Sequence, residues 1–219
     1  RGLGDVYKRQ AITTPLVILA LIFGFLSFRS GRERECELHY NRGLTYLNQG
    51  DCKLAIYEFD EVLATCADFR DTLARRAEAE RACDLDKWYE QGQEALEVGN
   101  WAEADELFSR VYDLDADYRQ VENRLFTARL QRAEQLLAEG DLQEALVAFE
   151  GCLEVNPAAA EAQSKRDTLN SYLQALRDIN DQRWSEAIAK LEPLCAQPPD
   201  FGDPCGQLLE ALLGQCDAS

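Results

Sequence analysis

Eight cysteines, one histidine and a large excess of carboxylates are the side chains of this chain most able to do chemistry. Zinc sites and dithiol redox centres need thiolates close together in sequence, most often as CxxC, so that two ligands reach one centre. No two of Cys36, Cys52, Cys66, Cys83, Cys152, Cys195, Cys205 and Cys216 have that spacing. Neither a metal site nor a cofactor is expected. His39 stands alone in a predicted helix, where a histidine is more often structural than catalytic. Acidic pairs such as Glu103/Asp105 and Asp60/Glu61 read as solvated helix-face charges, and without a cleft or partner they carry no acid–base case. The phosphate loop, the GxSxG elbow, the HExxH helix and the EF-hand loop are absent from the sequence. An enzyme is not expected.

The charge points the same way. Forty acidic against 23 basic side chains give a formal −17. Such a surface repels phosphate backbones, so nucleic acid is a poor partner, whereas a protein or peptide with basic and apolar residues fits. The same charge would also keep a long exposed array soluble.

The elements that must position these residues repeat. Four segments align, starting at Asn48, Glu97, Ala138 and Asn180. Each has a turn, at Gly50, Gly99, Gly140 and Gln182, followed five residues later by Ala55, Ala104, Ala145 and Ala187. Four residues further on stand Phe59, Phe108, Phe149 and Leu191, and after three more Val62, Val111, Cys152 and Leu194. Spacings of four and three keep these side chains on one face of a helix. A Gly after an amphipathic stretch ends the preceding helix in the left-handed conformation. Seven residues before each turn is another small residue (Gly43, Gly92, Ala133, Ala175), predicted to face the alanine of the partner helix so that small meets small.

This pattern resembles the tetratricopeptide repeat, with small residues on both helices of a hairpin, an aromatic on the second and a proline near its end. The proline is present only at Pro157 and Pro199; Ala67 and Ala116 replace it earlier. The resemblance implies an all-α, TPR-like solenoid of helical hairpins over 36–201, in four repeats at 36–69, 85–118, 126–159 and 168–201, closed by a capping helix over 202–216. The turns are 49, 41 and 42 residues apart, against about 34 in the family. The surplus lies ahead of each later first helix, so those helices are expected to be lengthened.

Proteins of this family bind peptides or helices along a concave face made by their first helices. Carried over, that face falls on Tyr40, Leu44 and Leu47 (with Glu37), then Tyr89, Gln93 and Leu96 (with Asp86). It continues with Leu130, Glu134 and Leu137 (with Thr127), then Tyr172, Leu176 and Ile179 (with Leu169). The lengthened first helices could equally bury these side chains against one another. The carboxylate clamp of one subfamily is not expected, because Tyr40 and Leu44 stand where it needs Lys and Asn.

In antiparallel helices, residues equally far from the turn lie side by side. Cys36 and Cys66 are each 15 residues from Asp51, Cys52 and Cys83 about 15 from the Ala67–Asp68 turn, and Cys195 and Cys205 five from Asp200. Disulfides Cys36–Cys66, Cys52–Cys83 and Cys195–Cys205 are therefore predicted, the alternative being buried thiols. Cys152 is expected in the core, and Cys216 is unassigned.

Disulfides imply an oxidising space. Arg1–Gln10 reads as translated library adapter and is set aside. Ala11 to Phe28 carries no charge; as a helix it would be about 27 Å long, close to the hydrocarbon thickness. A single transmembrane anchor is expected over 11–30, preceding the repeats. A cleaved signal and secretion is the alternative, although Phe25, Phe28 and Arg29 crowd the exit. Arg29, Arg32 and Arg34 would place the repeats in the cytoplasm by the positive-inside rule; the cysteines argue for the other side. The expected function is a membrane-anchored scaffold that binds a protein or peptide partner. A self-assembling envelope component is the rival.

Overall fold

The computed structural model describes residues 23–24 and 29–217. The leader Arg1–Gln10 and nearly all of the anchor over 11–30 lie outside the described residues. Among the described residues no helix is long and apolar enough to cross a membrane.

Every element described is helical. α1 covers 29–48, followed by α2 (Cys52–Thr65), α3 (Thr72–Glu97), α4 (Trp101–Leu114), α5 (Val121–Glu139), α6 (Leu142–Val155), α7 (Ala160–Asn180), α8 (Trp184–Ala196) and α9 (Pro204–Asp217). A short 3-10 turn, Tyr118–Gln120, precedes α5. α3, α5 and α7 are long, at 26, 19 and 21 residues, while α2, α4 and α6 have 14 each. These are helical hairpins with lengthened first helices. The described residues fall into two compact units that divide between Asp86 and Lys87.

In the first unit the α1–α2 turn is made by Gly50, at φ +81°. The Asp51 carboxylate caps α2 by accepting from the Leu54 amide at 3.1 Å. Such a cap holds a donor the helix itself cannot satisfy and contributes about 1 kcal/mol. Cys36, Tyr40, Ala55, Phe59, Val62 and Ala79 form the core. Small does not face small here: a Cβ on Gly43 would come 2.6 Å from Phe59 Cε1, so the glycine makes room for the ring. Disulfides join Cys36 to Cys66 and Cys52 to Cys83.

In the second unit each helix from α4 to α9 packs on the next in chain order. Ala104, Ala145, Ala187, Phe108, Phe149 and Leu191 are fully buried, as are Ala55 and Phe59 in the first unit. Each buried Phe or Leu stabilises by roughly 1.5–3 kcal/mol relative to exposure, and this repeating face is what folds the array. Gly92 makes the same room for Phe108 that Gly43 makes for Phe59. The last turn lacks glycine. Gln182 takes φ +59° instead, held by the buried Asp178, whose carboxylate accepts from Arg183 at 2.6 and 2.8 Å and Lys190 at 2.5 Å. The third disulfide, Cys195–Cys205, ties α8 to α9.

Candidate interaction surfaces

The three tyrosines expected to meet a partner are core residues. Tyr40, Tyr89 and Tyr172 are 5–6% exposed. Each meets an aromatic edge-on from the linker that follows its hairpin: Phe69 at 5.7 Å, Tyr118 at 5.7 Å and Phe201 at 5.9 Å. Each hydroxyl is used as well. That of Tyr40 donates to Asp71, that of Tyr89 donates to the Arg119 carbonyl at 3.2 Å, and that of Tyr172 accepts from the Asp203 amide at 3.1 Å. The expectation of a tyrosine-lined groove is corrected accordingly: the linker folds over the rings and removes them from solvent. Arg70 stacks over the Tyr40 and Phe69 rings and pairs with Glu37 at 2.8 Å, and Arg119 does the same over Tyr89 and Tyr118 with Glu90 at 2.7 Å.

The other carried-over positions divide. Leu137 and Ile179 are buried, whereas Leu44 and Leu47 in the first unit, and Gln93, Leu96, Leu130, Glu134 and Leu176 in the second, are half-buried. Two of them line a cleft of about 260 Å³ beside α5, made by Glu134, Leu137, Ala138, Lys165 and Asp200. The Lys165 ammonium donates to Glu134 at 2.6 Å, and that bond raises its pKa above the usual lysine range.

A larger cleft, about 440 Å³, lies on another side of α5, between α4 and α6. At its base Asp105 accepts from Arg129 Nε and Arg132 Nη1, both at 2.9 Å. Arg129 also donates to the Gly151 carbonyl at 2.8 Å and to Ser109 at 3.3 Å, so one guanidinium crosslinks three helices. Above this base are Leu136, Val147 and Ala148, and around them Glu144, Glu150 and Glu154. Asp105 is thus not the solvated acid its sequence context suggests; its side chain is 16% exposed. The sequence signal that could have found the cleft is Arg129 and Arg132, three apart on one helix face of a strongly acidic chain.

The remaining reactive groups are placed elsewhere. Cys152 is buried as a free thiol, and desolvation pushes its pKa up to about 11. Cys216 is free and exposed. His39 Nδ1 lies 2.5 Å from Glu58 Oε2, a contact that ties α1 to α2.

No family model matches the chain, and no curated protein matches it in sequence. Among solved structures it is similar to the crystal structure of the P58(IPK) TPR domain, at 17% identity and a TM-score of 0.29, covering 84% of this chain and 48% of that one. The match thus spans about half of that protein's chain.

Proposed function

We infer that this chain is a protein-interaction scaffold: a single-span, membrane-anchored adaptor whose disulfide-braced hairpins hold a protein or peptide partner in an extracytoplasmic space. The observation that carries the reading is the pair of open clefts on α5, one shared with α4 and α6 and the other with α7 and the α8–α9 linker, both with apolar and charged side chains together. Clefts of that make accept side chains of another polypeptide, apolar groups for affinity and charges for selection. Neither a cofactor nor a catalytic step has a part in it. The three disulfides support an oxidising compartment, and the uncharged run from Ala11 to Phe28 supports the anchor. Arg29, Arg32 and Arg34 favour the opposite orientation, but six paired cysteines outweigh them.

A second reading has one observation behind it. Leu209, Leu212 and Leu213 of α9 are exposed side by side, and such a stripe suits self-association into an envelope layer. Light scattering of the full chain in detergent micelles separates the two. A monomer that binds a defined protein recovered from native membranes supports the adaptor. Concentration-dependent assembly without such a partner turns the reading to the layer.

A further inference from the structure

We propose that the cleft between α4, α5 and α6 is the docking site for a basic peptide segment of the partner, an apolar side chain flanked by lysines or arginines. The proposal rests on the scaffold reading and names the surface and the chemistry.

Two observations select this cleft and this occupant. The first is charge. Glu144 and Glu150 form no ion pair among the described residues, and Glu154 reaches Arg129 only at 3.7 Å. Asp105 and Glu154 together balance the two arginines at the base, which leaves Glu144 and Glu150 as the unmet negative charge at the rim. Between rim and base, Val147 is 61% exposed, which offers one apolar contact surrounded by acids. A peptide complementary to that is cationic around a hydrophobic anchor.

The second observation is Gly151, in the interior of α6. A glycine there weakens a helix relative to alanine. Its own packing does not require it: the three nearest atoms to an added Cβ all belong to Arg129, at 3.6–3.9 Å, ordinary contacts. Gly151 lines the cleft, so an added methyl would take up room there beside Arg129. The fold gives up helix stability there and gains room for something outside the chain.

The probe is a fluorescein-labelled peptide, GKRKLLKRKG, titrated against the full chain in phosphatidylcholine nanodiscs and read by anisotropy, with GKRKSSKRKG as its anchorless control. The leucine peptide is expected to bind at least about fivefold tighter, as one apolar anchor of 1 kcal/mol or more requires. Val147→Asp is expected to abolish that preference, while the control Val98→Asp keeps it. The sign is diagnostic, because the aspartate makes the cleft more acidic and a purely electrostatic attraction would strengthen. Gly151→Ala is expected to raise the melting temperature and weaken the leucine peptide at least threefold. Equal binding of the two peptides, or undiminished binding by Val147→Asp, overturns the proposal. The scaffold reading is tested separately by the native partner. If that partner binds parent and Val147→Asp alike, the adaptor stands and this docking site falls.

Discussion

The hydroxyl of Tyr89 donates to the main-chain carbonyl of Arg119, 3.2 Å away and 30 residues later. The bond closes a linker whose Arg119 sits at φ 42°, a backbone that side chains rarely adopt. Ring and hydroxyl together hold that strained corner in place. Tyr89→Phe should therefore cost about 1 kcal/mol and Tyr89→Ala about 3–5 kcal/mol, read from urea unfolding. An alanine variant as stable as the parent would return this ring to the surface.

Protein isolated without reductant should carry three intramolecular bridges, seen by peptide mapping, and two alkylatable thiols. At pH 8 Cys216 should react at once and Cys152 only after unfolding, since its thiol, with a pKa of about 11, is almost wholly protonated. Opening Cys52–Cys83 by the double serine change should cost about 2–4 kcal/mol. Eight alkylatable thiols in freshly isolated protein, counted after unfolding without reductant, would refute an oxidising location.

Asp178 makes the last turn acid-sensitive. The Lys190 ammonium, and then the Arg183 guanidinium, hold its carboxyl below the usual carboxylate range. A depressed carboxylate contributes stability that is fully present above its unfolded pKa and is lost as pH falls through the folded one. Asp178→Asn should thus cost about 1–3 kcal/mol at pH 7, and the deficit should shrink below about pH 4. A deficit independent of pH would mean that shape alone matters there.

Arg129 ties α5 to both flanking helices, so Arg129→Leu should cost about 1.5–3 kcal/mol by leaving Asp105 and the Gly151 carbonyl short of donors. Arg132→Ala, which leaves Arg129 on Asp105, should cost less than half as much. Chemical denaturation of both variants gives the ratio, and equal losses would remove Arg129 from its central place.

The fold was legible because a helix face is written locally. Ala55, Phe59 and Val62 recur at fixed spacing, and all three are fully buried. The tyrosines misled because what covers them comes from 29 residues on, at Phe69, Tyr118 and Phe201. One internal clue was present: the third repeat lacks both members, with Leu130 and Ala159 in their places. Paired loss marks contact between the two positions. The α5 cleft was harder to see, because Asp105 and Arg129 are 24 residues apart and each looks like an ordinary surface charge.

The first two disulfides interleave, since Cys52 lies inside the Cys36–Cys66 loop and Cys83 outside it. A pull along the chain is then shared by three parallel routes, through residues 36–52, 52–66 and 66–83, each completed by one or both bridges. These routes reach roughly 50–60 Å instead of roughly 165 Å, at 3.3–3.6 Å per residue. Under tension this stretch behaves as a short inextensible strap, and only on reduction does it become a tether.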